Sequence, residues 1–295
     1  MYIIVNWFSE PNISFRRNPL NSAMAAPDRI LPYERRKVLY RFLPNFDTIL
    51  SLHQAEAIAH SILPYTNRLS PNFTLHDVNH SIRVIEYINQ IIEATKEEKD
   101  FTDSEIIALY ISGWLHDIGM IKGRDMHAMA SAIMIEKLEK NWLMLRHLSM
   151  PVEEIVKHHS HCTSADIEKL KTKIRIDGKD FNLRRACAIL RLADESDMTL
   201  DRAPPAVDFL LKDDFDDKAK LNWGANQSIK SIDYIPDDNV ILIQVSSIKS
   251  AFNLLMKFNI ELTNMKGFIS EEFACRELQI QDPTGRQIRF PTHPK

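Results

Sequence analysis

Eight of the eleven histidines crowd between positions 76 and 161, among them His76, His80, His116, His127, His158, His159 and His161. Imidazole nitrogens gathered with carboxylates can shuttle protons or hold a divalent ion. His116 and Asp117 stand together where an apolar stretch ends, and a buried polar pair is costly unless it is partnered or bound to an ion. Alone, a His-Asp dipeptide reads more readily as a capping acid beside a satisfied core histidine. Its context changes that reading. His80, in LHDVNHSIRV, and Asp194, in ILRLADESD, both sit on the apolar side of their segments. Four such residues need four separate explanations as structural groups, whereas one divalent ion held between helices explains them together.

The elements that must carry them read as helices. Apolar residues recur at three- and four-residue steps from Asp47 through Leu63, and again over 77–98 with Val78, Ile82, Ile85, Ile88 and Ile92 on one face. Residues 103–118 follow Thr102, with Glu105 three places on, which is capping-box spacing. That segment is apolar almost all round and should be a buried central helix ending near Gly119. Helices are also expected over 126–140, 151–160 and 182–197, with Asn182 as a cap. After Pro204-Pro205 the texture changes. Residues 226–235 and 239–246 suggest a β-hairpin, 247–266 a helix, and 273–280 and 286–290 two short strands around Asp-Pro-Thr-Gly. The expected fold is mainly α: an irregular segment over 1–45, with Met24 an alternative start, a helical bundle over 46–203, and a small α+β appendage over 204–295.

Composition narrows the function classes. Seven glycines among 295 residues argue against Gly-rich phosphate loops and against an all-β fold. A formal net charge of −3 gives no global field toward nucleic acid or membrane. No apolar run reaches the ~18–20 residues a bilayer demands, and three scattered cysteines suit a reduced, cytoplasmic protein. No Walker-type loop, zinc-finger spacing or basic aromatic tract is present.

His80, then His116-Asp117, then Asp194, with their flanks HDVNHSIRV, WLHDIGM and LRLADESD, resemble the H…HD…D signature of the HD superfamily of metal-dependent phosphohydrolases. The resemblance covers about residues 75–200. It implies an HD-domain helical bundle and makes His80, His116, Asp117 and Asp194 metal ligands. Two-metal members carry further histidines between the pair and the last Asp, which implies roles for His127 and the doublet His158-His159. These places resemble those in CRISPR-associated HD nuclease domains and cyclic-dinucleotide phosphodiesterases, although the Gly-Tyr-Pro of the latter is absent after His159. The layout also resembles HD domains of bacterial conflict systems. One or two ions per chain are expected, and mixed His/carboxylate ligation favours Mn, Ni, Fe, Co or Zn over Mg.

The implied chemistry is hydrolysis of a phosphate ester by activated water, with His116 and Asp117 at the reacting centre. Lys122 and Arg124 are candidate phosphate contacts, although either reads equally as a solvated loop charge. Arg83 either meets phosphate or pairs with an acid. His76 reads more readily as exposed than as an orienting group. Asp197 reads as a helix-end charge that could support a ligand, and His161 as a surface residue. Met126, Met129, Met134, Met144 and Met150 are expected as core filler. The expected substrate is a phosphorylated small molecule, a nucleotide or a single-stranded nucleic acid, with no membrane partner and a homo-oligomer left open. Two other readings stand beside this one: a nucleotide-responsive regulatory HD module without turnover, and a di-iron oxygenase on the HD fold.

Overall fold

The computed structural model describes residues 31–66, 72–95, 101–142, 146–160, 162–271, 273–275 and 277–290. The N-terminal residues 1–30, the end of the helix expected over 77–98, and His161 lie outside them. The described helices run in chain order as α1 (Tyr33–Leu39), α2 (Leu50–Ile62), α3 (Val78–Glu93), α4 (Asp103–Leu115), α5 (His127–Trp142), α6 (Ser149–Lys157), α7 (Ser164–Glu168), α8 (Leu183–Ser196), α9 (Pro205–Leu211), α10 (Asp217–Gln227) and α11 (Ile248–Ile269). Two small sheets accompany them: β1 (Ile174–Ile176) with β2 (Lys179–Phe181), then β3 (Ile229–Ile235), β4 (Val240–Val245), β5 (Glu277–Gln281) and β6 (Gln287–Phe290). The chain is thus a helical bundle followed by a small α+β region.

Helix α4 is the central rod. The Thr102 hydroxyl accepts from the Glu105 backbone N–H, and the Glu105 carboxylate accepts from that of Thr102, which closes the capping box and fixes the start of α4. Ala108, Leu109, Tyr110, Ile111, Trp114 and Leu115 are all fully buried, so packing on every side stabilises the helix. It lies against α2, α3, α6 and α8. Gly113 permits the approach of α3, since a Cβ there would meet Ile85 Cγ1 at 2.7 Å.

The segment before residue 45 is not wholly irregular, because Tyr33–Leu39 is helical. Its apolar signal is too short to show periodicity, and tertiary contacts hold it instead. Leu39 and Tyr40 are buried, the Tyr40 hydroxyl accepts from Trp114 Nε1 at 2.8 Å, and the Leu39 carbonyl accepts from Asn89 Nδ2 at 2.8 Å. A second unforeseen element is the β1–β2 hairpin, which turns through Asp177 and Gly178 with φ of 49° and 76°. Both positive angles belong to the two-residue turn that Asp-Gly favours.

In the C-terminal sheet β3 pairs antiparallel with β4, β4 parallel with β5, and β5 antiparallel with β6. The hairpin turn ends on Asn239 in the left-handed region at φ 56°. Helix α11 makes the crossover that a parallel β4–β5 pair requires. One continuous apolar core includes Leu109 and Ile189 of the bundle together with Ile232, Ile243, Leu278 and Ile280 of the sheet. Helix α11 packs along α8, so the α+β region reaches the element that carries Asp194. No helix among the described residues is long and apolar enough to cross a membrane. Met126, Met129 and Met150 are 63%, 39% and 48% exposed, a correction to their expected place in the core, whereas Met134 packs against it and Met144 lies outside the described residues.

Candidate metal centre

Five helix ends deliver the polar cluster. Asp77 caps α3 by accepting from the His80 backbone N–H at 2.9 Å, which sets His80 in the first turn. His116 closes α4, and Asp117 begins the 3-10 turn Ile118–Lys122. His127 opens α5, His159 follows the end of α6, and Asp194 lies in the last turn of α8. Gly119 allows that turn to lie directly on α5. A Cβ on it would fall inside the van der Waals radii of the His127 carbonyl oxygen and the Ser131 backbone nitrogen, and 2.7 Å from Ser131 Oγ. Ser131 Oγ in turn accepts from Gly119 N and donates to the His116 carbonyl, locking the two elements together.

The hydrogen bonds decide which imidazole nitrogen is a lone pair. Carbonyl oxygens only accept, so a ring nitrogen bonded to one must carry the proton. His116 Nδ1 donates to Gly113 O at 3.0 Å, His127 Nδ1 to Arg124 O at 2.6 Å, and His159 Nδ1 to Val156 O at 2.5 Å. His80 Nδ1 donates to Asp197 Oδ2 at 2.6 Å. All four Nε2 atoms therefore turn inward. His80 Nε2 and His116 Nε2 lie 3.0 Å apart, as do His127 Nε2 and His159 Nε2. Neutral imidazoles would set lone pair against lone pair at that distance, which is unfavourable unless a cation or proton lies between them. Ligands about 2.1 Å from one ion and roughly at right angles to each other have this separation.

The carboxylates complete the arrangement. Asp117 Oδ2 lies 3.2 Å from His80 Nε2 and 3.3 Å from His116 Nε2, while its Oδ1 lies 3.5 Å from His127 Nε2 and 3.7 Å from His159 Nε2. Asp194 Oδ1 is 3.2 Å from His80 Nε2 and 3.8 Å from His116 Nε2. Asp117 Oδ2 and Asp194 Oδ1 are buried and receive no well-formed hydrogen bond despite these close nitrogens. Buried acceptors are almost always satisfied, and facing lone pairs leave these two in need of a cation. The donor set fits a divalent ion: His80, His116 and Asp194 form one compact group, and His116, Asp117 and His159 another.

Electrostatics agree. Burial works against a charge on His80, yet the carboxylates of Asp117, Asp194 and Asp197 around it outweigh burial and raise its pKa to about 10. Burial lowers that of His127 to about 4, so its ring is neutral at ordinary pH. His159 is raised, its carboxylate neighbours again overcoming burial. In the ion-free protein, a proton on His80 thus occupies a position a metal would take. Metal loading is expected to release about one proton per chain at pH 8, and apparent affinity should weaken roughly tenfold per displaced proton for each unit of acidification. Calorimetry in buffers of different ionisation enthalpy measures the count, and a count of zero would contradict the assignment of Nε2 as the inward donor.

Of the nine residues singled out by sequence, His80, His116, Asp117, His127, His159 and Asp194 meet at the cluster. His158 does not. Adjacent residues at a helix end point about 100° apart, and its Nδ1 turns instead to the Glu154 carbonyl at 2.8 Å. Arg124 lines the cavity above the cluster, whereas Lys122 is exposed and does not. His76 is buried rather than exposed. Arg83 meets an acid: it donates to Asp197 through Nε at 2.7 Å and Nη2 at 3.0 Å, so Asp197 is clamped between it and His80. Arg202 went unread in the sequence. Its only signal was a cation soon after the last Asp.

A helical bundle with a buried His/Asp centre of this order is an HD-type domain. A family model described as HD-CE matches residues 70–274, and the chain belongs to that family. No curated protein and no solved structure matches it.

Proposed function

We propose that this protein is a two-metal phosphohydrolase that cleaves a phosphate ester of a nucleotide or related compound. The observation that carries the reading is the placement of Asp117, whose two oxygens face different histidine pairs. His80, His116 and Asp194 would hold one ion, His127 and His159 the other, and Asp117 would bridge them. Divalent ions in such a set supply activated water at neutral pH and neutralise phosphoryl charge. In the reaction the water oxygen forms a new P–O bond, the ester P–O bond breaks, and the departing alcohol takes up a proton.

The protein's own contribution is orientation and exclusion. Asp197, fixed by Arg83, holds the His80 ring in the tautomer that turns Nε2 inward. Carbonyl acceptors do the same for His116, His127 and His159. The cavity above the cluster has a volume of about 490 Å³, the size of a small-molecule site. Arg124 at its wall favours a phosphate substrate over the oxygenase reading, which has no use for a phosphate-binding cation.

The test is metal content and turnover on the same sample. About two transition-metal equivalents per chain are expected, together with hydrolysis of a nucleotide or phosphodiester that stops on chelation and resumes with Mn or Ni. A chain that retains no divalent ion under any loading condition would sink the reading and leave a binding module.

A further inference from the structure

The two ion-binding groups do not account for the polar structure at their edge. His76 is buried, and its Nδ1 donates to the Thr74 carbonyl at 2.6 Å. Its Nε2 is therefore an acceptor. Two guanidiniums share it: Arg124 Nη1 at 3.0 Å and Arg202 Nη2 at 2.9 Å. Two cations thus converge on one neutral atom, and like charges drawn together in a half-buried place repel unless an anion joins them.

Each guanidinium is also held from elsewhere. Arg202 Nη1 donates to the Asp197 carbonyl at 2.9 Å and lies 3.6 Å from Asp194 Oδ1, which puts it against the metal centre. Its Nε is buried and finds no acceptor. Arg124 lies over the Phe73 ring, 4.9 Å from the centroid, a contact that orients the fork. Both arginines line the cavity that Asp117, His127 and His159 also line.

Another part of the lining adds a third charge. Lys218, Asn222 and Asn226 follow one another at four-residue steps along α10 and line the same cavity. Lys218 has no ion pair among the described residues. The other two cations of the lining are neutralised, Lys257 by Glu195 and Arg191 by Glu261. Beside the metal centre the cavity therefore carries two cations with no acidic partner among the described residues, Arg124 and Lys218, next to Arg202.

We propose that Arg124, Arg202 and Lys218 form an anion subsite next to the metal centre, taking the second phosphate of a substrate that carries two or more phosphates in a row. His76 is its positioning residue, fixing the spacing of the two arginines. The proposal rests on the phosphohydrolase reading and narrows it. A phosphoanhydride chain places its next phosphate directly beside the reacting one, within reach of Arg202. A single-stranded nucleic acid places it a whole sugar away.

Calorimetric titration of the metal-loaded full chain with inorganic orthophosphate and pyrophosphate tests this. Wild type should bind pyrophosphate at least about tenfold more tightly than orthophosphate, the scale of one or two charge-assisted hydrogen bonds. Arg124→Gln should bring that ratio below about threefold while bound metal stays unchanged. His76→Leu should do the same, and His76→Gln, whose carbonyl can still accept from both arginines, should retain most of the preference. If Arg124→Gln loses metal through misfolding, Lys218→Gln takes its place with the same expectation. An equal affinity for the two anions in wild type, or a ratio untouched by these substitutions, overturns the subsite. Metal content and turnover are read separately. A steep ratio without hydrolysis sinks only the hydrolase reading, and hydrolysis with a flat ratio sinks only the subsite.

Discussion

Asp117→Ala is expected to strip the protein of both ions and to lower hydrolysis by at least about a thousandfold. The size follows from the place of the carboxylate. Its Oδ2 faces His80 and His116, and its Oδ1 faces His127 and His159, so one truncation removes a donor from each group. Metal-derived charge stabilisation is worth several kcal/mol in the transition state, and about 4 kcal/mol is a thousandfold in rate. Removing Asp194 takes a donor from the His80 and His116 group alone, so Asp194→Ala should spare more of the bound metal. Removing a supporting group costs less again: Asp197→Asn keeps every inward donor and should weaken metal by about ten- to a hundredfold. Metal analysis and melting with and without chelator separate these outcomes from misfolding. Wild type should lose thermal stability on chelation, since an ion that binds only the folded state stabilises it. Asp117→Ala should show no chelator effect. A variant that keeps both equivalents would refute the bridging role.

What the residues disclosed in advance was the chemistry that depends on type and order. His80, His116-Asp117 and Asp194 could be picked out because each is a polar group on an apolar face, and burial makes such groups explain themselves. Helix α4 was legible from Thr102 and Glu105, and α8 from Asn182, because caps are local. The choice between His158 and His159 was not legible. It depends on where α6 ends, and a shift of one residue there exchanges their directions. The His76 clamp was hidden for a different reason. Thr74, Arg124 and Arg202 come from three separate segments, and Arg202 lies 126 positions beyond His76, a separation no local pattern spans. Helix α1 gave too short a signal against its Asn- and Pro-rich surroundings. The β1–β2 turn, by contrast, was written in Asp177-Gly178 and could have been read.

Glu105→Ala is expected to cost about 3–5 kcal/mol of folding stability, the range for breaking a buried ion pair by removing one partner. Glu105 is 1% exposed and ties together the helix that leads into Asp117 and the helix that carries Asp194. At the start of α4 its Oε2 accepts from the Thr102 backbone N–H at 2.9 Å. At the start of α8 its Oε1 accepts from the Asn182 backbone N–H at 2.8 Å, and both oxygens accept from Arg185 Nη2 at 2.9 and 3.1 Å. The guanidinium also lies over the Phe101 ring at 4.0 Å, in a place where water cannot easily replace the lost carboxylate. Truncation would leave a buried cation and two backbone donors unmet, and each unmet group carries its own desolvation penalty. Glu105→Gln should cost markedly less, because a Gln at this position can still close the capping box and still accept from Asn182 or Arg185. Denaturant midpoints for the three proteins, all measured with excess chelator so that metal linkage is removed, give the comparison. An alanine variant within about 1 kcal/mol of wild type would mean that Arg185 swings out to solvent. The Glu105–Arg185 pair would then be no fixed link between α4 and α8, and the alignment of Asp117 with Asp194 would have to come from apolar packing alone.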